Sequence, residues 1–146
     1  MAKAPTQILE SALYADDLDA AEAFYGGVLG LEKISRAGNR HVFYRCGPGV
    51  LLIFNPAETI VPPAPGHPLQ VPPHGTRGSG HLCFRASSVE IDVWRQRLEA
   101  AGVAIEAIAD WPGGGRSIYF RDPAGNSLEF AEARIWGIEQ DEHAQA

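Results

Sequence analysis

Apolar and polar residues follow a pattern that predicts one strand, one helix and three strands in the first half of the chain. The stretch from Ile8 to Tyr14 alternates with a period of two, as a half-buried strand does. An apolar stripe from Ala20 to Val28, with Asp17 or Asp19 as N-cap, predicts a helix that ends near Gly30. Turns that contain glycine then join three predicted strands, at 31–36, 41–45 and 50–55.

The second half of the chain repeats this order. Residues 81–86 predict a strand, and Ser87 or Ser88 is the expected N-cap of a helix that Gly102 ends. Strands are predicted after it at 103–109, 117–121 and 127–131. A repeat this regular indicates one supersecondary unit used twice. We therefore predict an α+β protein of two βαβββ modules whose sheets share a concave cleft.

An alignment of the two halves gives the predicted boundaries and a set of equivalent positions. Residues 118–130 lie without gaps on residues 42–54, which pairs Glu129 with Ile53, and Glu10 pairs with His81. Module one is predicted at about 8–55 and module two at about 79–132, within one domain of 146 residues with a tail at 133–146. Between them, residues 55–78 carry seven prolines, which predicts a linker at 56–78 or an ordered covering loop without a helix.

Composition excludes several classes of function. The net charge is −6 and no cluster of Lys and Arg occurs, which argues against a nucleic acid or an anionic membrane as partner. No apolar run reaches the length of a membrane span and the N-terminus lacks the pattern of a signal peptide, so we expect a cytoplasmic protein. Cys46 and Cys83 lack a metal-type spacing and are expected to be buried, reduced thiols.

Three of the four equivalent inward positions carry ionisable side chains: Glu10, His81 and Glu129. Two carboxylates and a neutral imidazole offset the charge of a divalent cation and leave coordination positions open, as a catalytic metal site requires. This nitrogen and oxygen set suits Mn, Ni, Fe, Co or Zn. Structural roles stay open, since Glu10 would also fit a solvated strand edge and His81 a hydrogen-bonded core position.

The same residues resemble the vicinal oxygen chelate superfamily, which includes glyoxalase I, fosfomycin-resistance thiol transferases, bleomycin-sequestering proteins and extradiol dioxygenases. The likeness covers about residues 8–132, and these stretches carry it: Glu10 with Asp17-Leu18, Val28-Leu29-Gly30-Leu31, Gly80-His81-Leu82-Cys83-Phe84, Leu98-Glu99-Ala100-Ala101-Gly102 and Ser117 to Phe130. It implies that Glu10, His81 and Glu129 are the metal ligands. Glyoxalase I adds a ligand at the position aligned with Ile53, which cannot coordinate, so the site is more similar to that of the three-ligand transferases.

Neighbouring side chains have expected roles as well. Glu129 is the expected general base, and Tyr119 is similar to a tyrosine that contacts the substrate in fosfomycin enzymes. Arg116 and Arg121 are expected to hold an anionic group, and His74 to cover the cleft. Tyr119, Arg121 and Glu129 would share one face only if the turn between their strands keeps register.

We therefore expect a divalent-metal-dependent enzyme, of the lyase or thiol transferase type, that acts on a small oxygen-chelating substrate. The chain is expected to form a homodimer, because the families that it resembles often complete the cleft across a two-fold axis. One alternative is a metal-free binding protein that is similar to the bleomycin-resistance proteins. Another is a dioxygenase of the extradiol type, although those enzymes use two histidines and one carboxylate for iron.

Overall fold

The computed structural model describes residues 1–139, and its chain forms two compact units, Met1–Gly80 and His81–Ala146. The predicted tail at 133–146 is thus described only as far as residue 139, and residues 140–146 lie outside the described part. Within residues 1–139, no helix combines the length and the apolar character needed to cross a bilayer.

The first unit contains a sheet of four strands in the order β1-β4-β3-β2. Its strands are β1 (Glu10–Tyr14), β2 (Glu32–Ala37), β3 (His41–Cys46) and β4 (Gly49–Phe54). The first and last strands pair in parallel, and the other pairs are antiparallel.

The second unit repeats this topology in a sheet of order β5-β8-β7-β6. Its strands are β5 (His81–Arg85), β6 (Ala107–Asp110), β7 (Arg116–Arg121) and β8 (Ser127–Ala131). Again the first and last strands of the module are parallel neighbours. The predicted α+β class and the two βαβββ modules are confirmed.

The helices begin at capping residues that the sequence offered as alternatives. Helix α1 (Leu18–Glu22) has Asp17 as N-cap, and it continues as a π-helix at Ala23–Val28, where the Leu29 amide donates to the Phe24 carbonyl. Helix α3 (Ser88–Ala100) has a capping box, in which Ser87 Oγ accepts from the Glu90 amide and the Glu90 carboxylate accepts from the Ser87 amide.

Each sheet buries one face against the helix of its own module. In the first unit Tyr25 and Tyr44, both fully buried, lie with ring centroids 6.0 Å apart, and in the second Trp94 of α3 stacks on Phe130 at 4.7 Å. Fully burying an apolar side chain such as Leu, Ile or Phe stabilises a fold by about 1.5–3 kcal/mol. Side chains alternate along each strand, so the residues between these core positions share the other face of each sheet.

The proline-rich segment belongs to the first unit and is ordered. It opens with a short helix, α2 (Pro56–Thr59), which corrects the prediction that the segment has no helix. Asn55 caps this helix by accepting from the Ala57 amide, and Pro56 occupies the first helical turn, where no amide hydrogen is needed. Further along, His74 donates its amide to the Thr59 carbonyl at 3.0 Å. These contacts tie the segment to the first unit.

The strand pairing also corrects the gapless alignment of the two halves. Ala12 pairs with Leu52 in the first sheet, and the equivalent residue Cys83 pairs with Glu129 in the second. Glu129 therefore corresponds to Leu52, not to Ile53, because the turn after β7 is one residue longer than the turn after β3. The buried Asp122 carboxylate builds that longer turn by accepting from the Ala124 and Asn126 amides.

Candidate metal centre

His81 and Glu129 meet on neighbouring parallel strands of the second unit. His81 Nε2 lies 3.3 Å from Glu129 Oε2, and the carboxylate side chain is 8% exposed whereas the imidazole is 53% exposed. Glu129 is thus a nearly buried carboxylate that lies at salt-bridge distance from this half-exposed imidazole.

A second contact of His81 indicates which ring nitrogen carries the hydrogen in the neutral imidazole. Its Nδ1 lies 3.0 Å from the Ser127 carbonyl oxygen, which can only accept, so Nδ1 carries a hydrogen. In the neutral imidazole the lone pair then belongs to Nε2, which faces the Glu129 carboxylate. Two acceptors at 3.3 Å repel each other, and a cation bound between them would relieve this repulsion.

The distance within this pair fits a shared metal ion. Two ligands with bonds of about 2.1 Å at angles of about 90–110° lie about 3.0–3.4 Å apart. The Ser127 carbonyl supplies the second hydrogen bond that orients a metal-binding histidine. Among residues 1–139, however, no three His, Cys, Asp or Glu side chains form a group that could hold a metal.

Glu10 and His74, also predicted as site residues, belong to the first unit. Glu10 begins β1 and lines a cavity there together with His74, whose Nδ1 lies 2.8 Å from the Tyr14 hydroxyl oxygen. The assignment of Glu10, His81 and Glu129 to one cation stays a prediction.

Tyr119 lies directly opposite Glu129, in the antiparallel pair of β7 and β8. Its ring centroid is 6.4 Å from that of His81, at an interplanar angle of 28°. Loss of water contact, followed by a hydrogen bond to the Glu129 carboxylate and by its charge, raises the pKa of Tyr119. The phenol therefore stays protonated at neutral pH and can donate.

Arg121 shares this face, as its pairing with Ser127 shows, but its guanidinium is engaged elsewhere. Two of its nitrogens contact the Glu106 carboxylate at 2.7 and 3.1 Å, and a third bond reaches the Gly125 carbonyl. Anion binding by Arg121 would have to compete with this bidentate pair.

Arg116 occupies the face of the second sheet opposite to Tyr119 and Glu129, and its expected role in holding an anionic group stays a prediction. It is an odd number of positions from Tyr119 on β7, and its Nη2 contacts the Asp92 carboxylate at 2.8 Å and the Ser88 carbonyl at 2.9 Å, both on α3. The guanidinium thus joins the strand to the helix on the side away from the His81–Glu129 pair.

Cys83 also lines the site, although no sequence pattern assigned it a role. It follows His81 by two positions on β5, pairs with Glu129 and is exposed, so the predicted burial of this thiol is wrong. Desolvation of the thiol, and then the negative charge of Glu129, raises the pKa of Cys83 to about 12. It is consequently a neutral thiol and a poor nucleophile. Cys46 is half-buried, and both cysteines are free.

Two tryptophans complete a cavity of about 540 Å³ around these groups. Its lining consists of His81, Cys83, Trp111, Tyr119, Glu129, Ile135 and Trp136. Trp111 Nε1 donates to the buried Ser117 hydroxyl at 2.8 Å, which fixes the indole against the sheet. Trp136 ends a short 3₁₀ helix, Ala133–Trp136, and is 80% exposed. Strand alternation could have assigned Cys83 and Ser117 to this face, whereas no local pattern indicates the position of Trp136.

Comparisons with known proteins agree with this architecture. The family model described as Glyoxalase/Bleomycin resistance protein/Dioxygenase superfamily matches residues 7–130. A crystal structure of lactoylglutathione lyase from Agrobacterium tumefaciens is 47% identical, covers 93% of this chain and 100% of its own, and superposes with a TM-score of 0.88. A glyoxalase/bleomycin resistance protein/dioxygenase from Nocardioides is 28% identical over 90% of this chain and 85% of its own, with a TM-score of 0.69. No curated protein sequence matches significantly.

Proposed function

Because the chain belongs to the glyoxalase/bleomycin resistance protein/dioxygenase superfamily, we propose that it is a divalent-metal-dependent enzyme of the lyase or thiol transferase type. The observation that carries the proposal is the His81–Glu129 pair, in which two acceptors face each other at the spacing of metal ligands. The 47% identity to a lactoylglutathione lyase favours the lyase reaction.

We propose His81, Glu129 and Glu10 as the ligands of the cation. Glu10 would come from the first unit, of the same chain or of a partner chain in a homodimer. Mn, Ni, Fe, Co and Zn all suit two carboxylates and one imidazole, and such an ion would polarise two neighbouring oxygens of the substrate. We place this activity in the cytoplasm.

Glu129 is the proposed general base. Lactoylglutathione is a thioester, and its isomer is the hemithioacetal of glutathione and methylglyoxal. Conversion of the hemithioacetal into the thioester moves one proton from the hemithioacetal carbon to the neighbouring carbon, and a second proton from the hydroxyl group on the first carbon to the carbonyl oxygen on the second. One carboxylate oxygen can accept the carbon-bound proton and then return it. Tyr119, which donates to Glu129, would hold the carboxylate in place while the proton moves.

The surroundings of the His81–Glu129 pair fit an uncharged substrate group better than a phosphonate such as that of fosfomycin. The cavity that contains His81 and Glu129 is lined by no Lys or Arg among residues 1–139. Arg121 is paired with Glu106, and Arg116 lies on the other face of the sheet. Recognition of a phosphonate uses several cationic donors, so the fosfomycin-type reaction receives less support.

Formation of the thioester from the hemithioacetal tests this proposal, measured after chelator treatment and after addition of Ni²⁺, Mn²⁺ or Zn²⁺. We expect activity only with metal, and a loss of about 10²–10⁴-fold in kcat for Glu129→Gln. Glu99→Gln is the matched control, because Glu99 pairs with Arg95 on the exposed surface of α3. Turnover without metal would contradict the proposal, and ligand binding without any turnover would favour the metal-free binding protein.

A further inference from the structure

We propose that Trp111 and Ser117 are positioning residues, which act through Tyr119 to hold the Glu129 carboxylate in place. The four side chains follow one another on one face of the second sheet and form a hydrogen-bond chain that ends at the proposed general base. The role of Glu129 in the reaction comes from the proposed function, on which this inference rests. The hydrogen bonds themselves depend neither on that reaction nor on a metal ion.

The pairing of β7 with β8 determines where the middle of the hydrogen-bond chain lies. Tyr119 is directly opposite Glu129, and Ser117 is two positions before Tyr119, so strand alternation puts all three side chains on the same face. Opposite residues in an antiparallel pair have Cβ atoms about 4.5–5.5 Å apart, which is within reach of an aromatic side chain. The Tyr119 hydroxyl has both Ser117 and Glu129 as hydrogen-bond partners. Tyr119 therefore links the serine to the carboxylate.

The Trp111 indole is the far end of the hydrogen-bond chain, and the turn after β6 holds it. Its Nε1 donates to the Ser117 hydroxyl oxygen at 2.8 Å. The Trp111 amide donates to the Gly115 carbonyl, and the Trp111 carbonyl accepts from the Gly114 amide, both at 2.9 Å. Ser117 is fully buried, so bulk water does not compete for its hydroxyl. The indole and the serine hydroxyl thus keep one relative position.

Donor and acceptor chemistry gives the hydrogen-bond chain a single direction. An indole N–H can only donate, so the Ser117 hydroxyl accepts from Trp111 and directs its own hydrogen to another acceptor. An ionised carboxylate can only accept, so the Tyr119 hydroxyl donates to Glu129 and keeps its lone pairs for the hydrogen of Ser117. Hydrogen bonds that follow one another in this way polarise and strengthen each other. A change at Trp111 is therefore transmitted to Glu129.

The first sheet indicates that the fold of a module does not require these polar groups. Phe43 and Leu52 form the pair that corresponds to Tyr119 and Glu129, and both are apolar. Burial of a polar or charged group costs free energy unless the group is hydrogen-bonded. The second unit nevertheless buries the Ser117 hydroxyl fully and leaves the Glu129 side chain only 8% exposed. A role in the reaction accounts for these groups better than a role in folding.

The two positioning residues differ in their access to the substrate. Ser117 does not line the cavity around the His81–Glu129 pair, so it can act only through its neighbours. Trp111 does line this cavity, so its test has to separate contact with the substrate from action through Ser117. Loss of a hydrogen-bond partner that orients a metal ligand typically costs about 10–100-fold in activity or metal affinity.

A double-mutant cycle in the thioester-forming reaction separates the two roles of Trp111. Trp111→Phe keeps an aromatic ring but removes the N–H, and Tyr119→Phe removes the link to Glu129. We expect each variant to lower kcat by about tenfold with little change in KM. The double variant should be no slower than Tyr119→Phe, because the hydrogen-bond chain is already broken there. Trp94→Phe is the matched control and should keep its kcat, since Trp94 stacks on Phe130 on the opposite face of the sheet.

Nuclear magnetic resonance of chelator-treated protein tests the hydrogen-bond chain without the reaction. The indole N–H signal of Trp111 is identified by its loss in Trp111→Phe, and the carboxylate ¹³C signal of Glu129 by its loss in Glu129→Gln. Ser117→Ala should move both signals, because it removes the hydroxyl between them. Ser88→Ala is the matched control and should move neither, since Ser88 is exposed at the start of α3, on the opposite face.

Three results would overturn the inference. They are effects of Trp111→Phe and Tyr119→Phe on kcat that multiply, a raised KM with unchanged kcat in Trp111→Phe, and an unmoved Glu129 signal in Ser117→Ala. If both signals move but the wild type forms no thioester, the proposed function fails and the hydrogen-bond chain to Glu129 stands. If the wild type is active and the Glu129 signal does not move, only this inference fails.

Discussion

Gly115 controls how the Ile135 wall of the second-unit cavity packs, and Gly115→Ala tests this. Its φ is +95°, and a Cβ added there would lie 2.5 Å from Ile135 Cγ2. Residues 111–115 form a tight turn, in which the Trp111 amide donates to the Gly115 carbonyl at 2.9 Å. The turn thus cannot move away from Ile135 without disturbing Trp111.

The expected cost has two parts. A left-handed backbone conformation costs a residue with a Cβ about 1–2 kcal/mol. Overpacking against Ile135 adds about 1–3 kcal/mol. Gly115→Ala should therefore lower the free energy of unfolding by about 2–5 kcal/mol, a large part of the total of about 5–15 kcal/mol that domains have.

Urea unfolding followed by far-UV circular dichroism measures this difference. Gly113→Ala is the matched control, since a Cβ at Gly113 meets nothing within 4 Å and its φ is not positive. We expect the control to stay within about 0.5 kcal/mol of the wild type. Equal stability of the two variants would refute the argument that Ile135 packs on Gly115.

Three further predictions concern groups away from the proposed metal. Burial raises the pKa of Cys46. In a Cys83→Ser variant, the reaction of Cys46 with a thiol reagent should therefore be slow at pH 8 and accelerate only as the pH rises further. Fast reaction at neutral pH would refute this prediction. Hydrogen bonds from Lys33 and then Arg36 lower the pKa of Glu22 from 4.5, so its stabilisation is present above pH 4.5 and is lost as the pH falls through the folded-state pKa. Glu22→Gln should thus lower the urea midpoint at pH 7 but not at pH 2, and an equal loss at both would contradict the pKa argument. Ile91→Ala should lower the free energy of unfolding in urea by about 2–5 kcal/mol, because Ile91 is fully buried. Val89→Ala should lower it little, because Val89 is 73% exposed. Similar losses in the two variants would contradict the packing of α3 described above.

Much of the fold could be predicted because each element has a local pattern. Alternation indicated the strands, and the repeat indicated that the modules share one topology. The one-residue error that aligned Ile53 with Glu129 arose because apolar residues follow one another at 50–54, so no change of polarity marked the longer turn after β7. The helix at Pro56–Thr59 was missed because a single turn with an Asn N-cap is too short to show a period.

The site could be predicted in part. The internal repeat and the family resemblance pointed to His81 and Glu129, and strand pairing brings these two side chains together. The partner of Arg116 could not be predicted, because its contact with Asp92 depends on how α3 packs on the second sheet. The cavity that Glu10 and His74 line depends likewise on the path of residues 56–74, which no periodicity describes.

Metal binding by the purified protein tests the central claim most directly. Isothermal titration calorimetry of chelator-treated wild-type protein with Ni²⁺ or Zn²⁺ should give one bound ion per proposed metal site. His67→Ala should bind the ion equally well and serves as the control, because His67 Nδ1 contacts the Leu69 backbone. His81→Ala should lose this binding by at least about 100-fold, and Glu129→Gln should weaken it. Unchanged affinity in His81→Ala, or no uptake by the wild type, would contradict the proposal that the 3.3 Å pair binds a metal ion.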